Sequence, residues 1–304
     1  MSATPIDLSR LSSPDIVETI DYETLLAERK AALIALYPAD KQAEVAAALA
    51  LESEPMTIHL QENAYREVVL RQRVNDAARA VMLAYAKGKD LEHLAALFEV
   101  ERLTITPADP ANDIDAVYEG DTDLRARTQL APQGFSVAGP EGAYIKHARD
   151  ADGLVLDASA VSPAPCEVVV TVLSRDGDGT ADATLIDKVK AALSADDVRP
   201  MTDLVDVRSA TIKRYSVRAT LVFFAGPDRS VALAEANKRV KAYTDEMHKL
   251  GMAITLDGVY AAARAPGVQK VYLDEPAADI PATKQEATYC VSIELIDGGI
   301  YNNE

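Results

Sequence analysis

The acidic, glycine-spaced run Asp176-Gly177-Asp178-Gly179-Thr180-Ala181-Asp182, with Asp187 further on, is the most chemically suggestive stretch of this chain. Oxygen-bearing side chains at the first, third, fifth and seventh positions are what a calcium loop supplies, and Asp187 stands where such a loop places its bidentate glutamate. A hydrolase built here would hold a divalent ion on Asp176, Asp178 and Asp182. Two features oppose that reading. The sixth position, where glycine makes the sharp turn, is Ala181, and no helix leads into the loop. Asp and Gly are also ordinary residues of a tight turn, with Thr180 or Asp182 available to cap a following helix. The turn reading carries more weight, so no metal ligand is assigned.

Glu119, Asp121 and Asp123 alternate just before Arg125 and Arg127. Paired carboxylates do acid–base work only in a cleft that perturbs them. At a helix start the same acids favour the dipole, and the four-residue spacing predicts the ion pairs Asp121–Arg125 and Asp123–Arg127. Ser136-Val137-Ala138-Gly139-Pro140-Glu141-Gly142 lacks the Lys-Ser/Thr of a phosphate loop, and no G-x-S-x-G nucleophile elbow exists. His59, His93, His147 and His248 are scattered, and read as surface or helix-face residues. Cys166 and Cys290 lie in apolar stretches, without zinc spacing, and read as buried small hydrophobes. No catalytic residue and no cofactor follow from this search.

The elements that would position these groups begin with helices. Ser12-Ser13-Pro14-Asp15 has the pattern of a helix start, predicting a helix to about Leu36. Pro38 opens an alanine-rich second helix. Pro55 opens a long third one, made of strong formers up to a break at Gly88, and Asp90 caps a short helix through Phe98. Within the long helix Leu70, Val74, Ala77, Val81 and Tyr85 recur at three- and four-residue steps, forming one apolar stripe. Arg71, Arg73, Asn75, Asp76 and Arg79 occupy the opposite faces. The stripe residues Leu70, Val74, Val81 and Tyr85 are the expected protein interface.

Residues 104–118 are rich in Pro, Asp and Asn and read as an extended crossing or loop. Short helices are expected near 119–131 and 140–150. After Asp152 the composition turns to Val and Leu. Strands are expected over 154–161, 167–173 and 205–208, with a helix near 183–195, making a small β-α-β unit. A similar unit follows, with a strand over 217–224, helices over 229–250 and 256–264, and closing strands over 268–273 and 289–296. The helix 229–250 carries a mixed face of Arg229, Glu235, Lys238, Arg239, Lys241 and Glu246, and Gly298-Gly299-Ile300-Tyr301 reads as an extended arm. The fold class is therefore α+β, a mainly helical N-terminal half followed by two small αβ units. The expected domains are 1–103, 104–210 and 211–304.

The 304 residues are enough for two or three domains, and 48% apolar content suffices for real cores. Aromatics are only 5% with no Trp, so those cores rest on aliphatic side chains. A formal charge of −17 opposes direct binding to nucleic acid, because no Lys/Arg cluster stands clear of neighbouring acids. No apolar run approaches the length of a membrane span, and the first residues lack the basic and apolar regions of a signal peptide. Neither nucleic acid nor membrane is an expected partner, and a cytoplasm is the default place of synthesis.

Several segments together resemble a known family. LRQRVNDAARAVMLAYAKGKDLEHLAALFEVER, EGDTDLRART, SVAGPEGAYIKHA, VRPMTDLVDV and APGVQKVYLDEP occur in the order and spacing of the baseplate J-like proteins of contractile-tailed phages and related particles. The opening IDLSRLSSPDIVETIDYETLLAERKAAL resembles the P2-like members in particular. One departure is Pro165-Cys166, where the family often has Gly after the Pro, which leaves the geometry of that turn open. The resemblance implies a non-enzymatic virion protein of the tail baseplate, present in the host cytoplasm during assembly, with no shared catalytic or metal residues. It also implies a baseplate wedge role: two copies pairing with a further wedge protein, helices joining a bundle, and the C-terminal part closing a ring around the tail hub or sheath-initiator proteins. The baseplate change that triggers sheath contraction would pass through such a component.

Overall fold

The Asp21 carboxylate accepts hydrogen bonds from the backbone N–H and the hydroxyl of Thr24, at 2.8 and 2.6 Å, and so begins the first helix, α1 (Tyr22–Ala35). In the computed structural model, which describes residues 6, 8, 11–12, 14–135, 139–196, 198–226 and 228–301, α1 thus starts well after the predicted cap. Ser13 itself lies outside the described residues, and 14–20 form a turn and bends, with the Val17 N–H bonded to the Pro14 carbonyl. Asp21 wins because a carboxylate at the N-cap satisfies an orphan donor and favours the helix dipole.

Helix α2 (Gln42–Leu49) follows a turn closed from Lys41 to Pro38. Helix α3 (Pro55–Ala80) carries Pro in its first turn, where the missing N–H costs nothing. It ends before Gly88, because the N–H groups of Val81 and Met82 both turn to the Arg79 carbonyl and a series of turns follows. Helix α4 (Gly88–Ala96) then completes a compact unit running from Ile6 to Leu97. Its interior is thin. Of the 26 residues of α3 only Thr57, Ala64 and Asn75 are buried, against Leu25 and Leu26 of α1 and Leu49 of α2.

A second compact unit runs from Phe98 to the C-terminus. It opens with a small antiparallel pair, β1 (Thr104–Thr106) and β2 (Val117–Tyr118), within the stretch expected as an extended crossing or loop. Helices α5 (Asp121–Leu130) and α6 (Glu141–Asp150) come next; Ser136 to Ala138 lie outside the described residues.

The Val-rich runs then form a three-stranded sheet. Its strands β3 (Val155–Val161), β4 (Glu167–Ser174) and β5 (Leu204–Ser209) lie in that order, β3–β4 antiparallel and β4–β5 parallel. The parallel step requires a crossover, and α7 (Ala183–Leu193) provides it. Val170, Val172, Leu185, Val189, Leu193 and Tyr144 make the core of this layer.

The last layer contains β6 (Thr211–Phe223), α8 (Arg229–Met247), α9 (Leu256–Ala263), β7 (Val268–Glu275) and β8 (Glu286–Ile300). The strand order is β7-β6-β8, with β6–β8 parallel and β6–β7 antiparallel. On α8, Ala232, Ala236, Val240 and Thr244 recur every fourth residue and are buried, so one narrow stripe of small side chains lets the helix lie close to the strands. The predicted glycine arm does not exist. Gly298 and Gly299 lie within β8, and the Tyr301 N–H bonds the Phe223 carbonyl at 2.9 Å. The thirteen-residue β6 offers backbone partners to the end of β8, and a side chain on Gly298 would meet Leu221 O at 3.1 Å. Among the described residues, no helix is long and apolar enough to cross a membrane.

Candidate interaction surfaces

Helix α3 turns about 100° per residue, which sorts its side chains into three faces. Thr57, Ala64 and Asn75 fall together on the buried face. Leu70, Val74 and Ala77 lie roughly a third of a turn to one side and are exposed, Leu70 at 61% and Val74 at 60%. Ile58, Tyr65 and Val69 lie about as far to the other side and are exposed too. The stripe is thus surface, and it has a counterpart that periodicity alone did not reveal. Val81 and Tyr85 fall past the end of the helix. Val81 is 70% exposed, while the Tyr85 hydroxyl donates to the Ser12 carbonyl at 3.4 Å.

The buried face of α3 is held mostly by polar ties. Asn75 was expected on the solvent face and instead is buried, clamping one peptide segment from both sides. Its Oδ1 accepts from the Glu18 N–H at 3.0 Å and its Nδ2 donates to the Glu18 carbonyl at 2.9 Å. Nearby, Glu67 receives Arg29 and Arg71, and Arg71 also reaches Glu18 at 3.2 Å. Bonds from Arg29 first, then Arg71, hold the Glu67 carboxyl below its ordinary range. The sequence did carry a signal for Asn75. Asparagine competes with helical backbone bonding, so inside a helix of strong formers it asks for a specific partner.

The acid–arginine cluster is a structural network in which Arg125 donates to the Asp121 backbone carbonyl at 3.5 Å, while Asp123 and Arg127 each take partners other than the one their spacing predicts. Arg127, 6% exposed, does not turn to Asp123. It pairs with Glu119, donates from Nε to Asp150 at 2.7 Å, and donates to the Glu101 carbonyl at 3.0 Å. Glu119 also accepts from the Leu103 N–H at 3.0 Å. Asp121 pairs with Arg102 and Asp123 with Arg175, each at 2.7 Å. Burial drives the choice. A guanidinium removed from water needs most of its five donors matched, and one neighbour on the same helix cannot do that.

In the 176–187 loop, Asp178 and Asp182 make structural contacts. Asp182 caps α7 by accepting from the Leu185 N–H at 2.8 Å. Asp178 accepts from the N–H and hydroxyl of Thr180, at 3.1 and 2.7 Å, and pairs with Arg214. Those contacts, Thr180 first, lower its carboxyl from the ordinary value. Among the described residues no group of three or more His, Cys, Asp or Glu is placed to hold a metal ion. The loop's glycines serve a close approach instead. A side chain on Gly179 would meet Leu173 Cδ1 at 2.6 Å and the His248 ring at 3.0 Å.

His248, read as a surface or helix-face residue, is half-buried. Its Nδ1 lies 2.6 Å from the Thr288 carbonyl, and its ring meets Tyr289 edge-on. With Lys241, Asp245, Cys290 and Ile293 it lines a cleft of about 270 Å³. The charged face of α8 is partly engaged: Arg229 pairs with Asp297, Lys241 with Asp245, and Arg239 donates to the Ala261 and Arg264 carbonyls ending α9. Both cysteines are free thiols, and neither is fully buried. Cys166 is exposed, with a left-handed backbone (φ 66°), which is the turn geometry that glycine would adopt without strain. Cys290 is half-buried, and burial raises its thiol above the ordinary range.

The sequence that folds in this way is similar to known proteins over nearly its whole length. The baseplate J-like N-terminal domain matches residues 52–109, and the baseplate J-like central domain matches residues 136–209. The chain is 49% identical over 296 residues to baseplate protein J of Escherichia phage P2, covering 97% of this chain and 98% of that protein. The chain belongs to the baseplate J-like family. In baseplate J-like terms, the N-terminal match contains α3 and α4, and the central match contains α6, α7 and the β3-β4-β5 sheet. The P2 relative extends the likeness to the β7-β6-β8 sheet beyond both domain matches.

Proposed function

We propose that this chain is a structural, non-enzymatic wedge component of the baseplate of a contractile phage tail. In this reading it resides in the virion, pairs with a second copy and a further wedge protein, and passes on the rearrangement that triggers sheath contraction. Membership of the baseplate J-like family supports the structural baseplate role. The observation that carries the finer reading is α3. One face packs within the chain, and two apolar stripes on either side of it stand exposed. A helix with that surface fits between two further helices, as a second copy and another protein would supply. The thin interior of the Ile6–Leu97 unit supports its use as a bundle segment completed by partners. By the same reading residues 1–103 form the assembly region, 104–210 the middle unit and 211–304 the ring-closing unit, next to hub or sheath-initiator proteins.

Quantitative mass spectrometry of purified virions tests the role. A wedge component is present in fixed stoichiometry with other baseplate proteins. A chain found in the assembling cell but missing from virions would instead be an assembly adaptor.

A further inference from the structure

We infer that the two αβ layers of the Phe98–Glu304 unit are locked together as one rigid lever, with no hinge between β5 and β6. The lock follows from the fold alone and does not depend on the baseplate reading.

The chain passes from the first sheet to the second through a single residue, Ala210, between Ser209 and Thr211. A hinge needs backbone free to change φ and ψ, and this backbone is tied on both sides. The Ala210 N–H donates to the Val172 carbonyl of β4 at 2.9 Å, and the Thr211 N–H donates to the Gln285 carbonyl at 3.0 Å. Ala210 is buried with Leu173 and Ala287, one from each sheet, and Leu156, Ile212 and Leu250 pack against them. The joint is therefore a small apolar core in its own right.

Four polar ties surround it, drawn from separate elements. Asp157 on β3 accepts from the Leu250 N–H at 3.1 Å. The Ser159 hydroxyl donates to the Lys284 carbonyl, and the Lys284 ammonium reaches Glu141 of α6 at 2.6 Å. Asp178, in the turn before α7, pairs with Arg214 of β6. Gly179, where any side chain would strike the His248 ring, lets that turn lie flush against the C-terminal layer. Opening the joint would expose the Ala287 and Leu173 contacts, both fully buried, and strip the Leu250 N–H of its acceptor together. Such a set yields cooperatively or not at all.

Hydrogen exchange of the full-length chain tests the lock through the amides of Ala210, Thr211 and Leu250. These are expected to exchange within about tenfold of Val170 and Val217, at the strand centres, because a locked joint opens only with the unit. In Asp157→Ala the three joint amides should exchange at least about tenfold faster while Val170 and Val217 keep their rates. Ser159→Ala, which removes one hydroxyl, should give the same pattern with a smaller change and serves if Asp157→Ala does not fold. Joint amides that exchange hundreds of times faster than the strand centres in the unaltered chain would reveal a hinge and overturn the inference. So would joint amides left unchanged by both substitutions.

Discussion

Arg127 and Glu119 form an ion pair whose side chains are 6% and 2% exposed, reached across an eight-residue separation. The pair is a hub, because Arg127 also ties Asp150 and the Glu101 carbonyl while Glu119 holds the Leu103 N–H. Arg127→Met should leave Glu119 buried without its cation and cost about 3–5 kcal/mol of unfolding free energy. Adding Glu119→Gln to that variant should recover part of the loss, since the amide no longer carries a charge but still accepts from Leu103. Urea unfolding of the two single variants and the double variant measures this directly. Additive losses would mean that the pair is not coupled.

Asn75→Ala should destabilise the helical unit by about 1–3 kcal/mol, because the Glu18 N–H and carbonyl both lose their partner at a partly buried site. Helicity followed by circular dichroism during urea unfolding reports the change. A loss below about 0.5 kcal/mol, the range of ordinary surface substitutions, would show that water replaces the amide there.

Leu70→Asp, Val74→Asp and Val81→Asp should each leave thermal stability almost unchanged, within about 0.5 kcal/mol, since all three side chains face solvent in the isolated chain. Incorporation into baseplates should nonetheless fall, because a charge in an apolar helix seam is left unpaired and desolvated. Co-purification of a tagged variant with its wedge partners separates the two effects. Normal incorporation of all three would remove the stripe from the interface.

How much of this was legible in the sequence depends on whether an element is fixed by its own neighbours. The Val-rich strands β3 and β4, the Pro55 start of α3 and the helix after Asp182 were all readable, because local period and caps determine them. The partner Asp150 of Arg127 was not, because it comes to Arg127 only through the packing of α5 and α6. Gly298 and Gly299 were misread as an arm for the same reason. Their strand conformation is dictated by β6, about eighty residues away in sequence. Burial of Asn75 and exposure of Leu70 both reverse what hydropathy suggests, and both belong to a helix whose other partners lie outside this chain in the proposed assembly.

Cys166→Gly should stabilise the chain. A side chain at φ 66° costs about 1–2 kcal/mol, and the greater freedom of glycine when unfolded returns roughly 0.5–1 kcal/mol of that. Because Cys166 is exposed, no packing is lost, and a net gain of up to about 1 kcal/mol is expected. Denaturant midpoints of the two chains decide it. A loss of stability would show that the thiol makes contacts worth more than the backbone strain.

Acid should weaken the fold through a named set of carboxylates. Asp21, Asp178, Asp228, Asp257, Glu67 and Glu286 are held below their ordinary values of 3.8 and 4.5 by hydrogen bonds, and also by cations at Glu67, Asp178, Asp228 and Glu286. Their contribution is complete above those ordinary values and is lost as pH falls through the lower folded ones. Asp157 works in the opposite sense. Burial raises its carboxyl above 3.8, against the pull of Arg149, the Leu250 and Ala158 N–H groups and Lys249. The folded state then takes up a proton before the unfolded chain does, so this one group gains stability as pH falls through its folded value towards 3.8. Asp157→Asn removes that compensation. Thermal unfolding from about pH 7 to about pH 3 should show the melting temperature of the variant dropping more steeply than that of the parent. The gap between the two curves should widen only below the raised value. A gap that stays constant through the acid range would mean that Asp157 ionises as a solvated carboxylate.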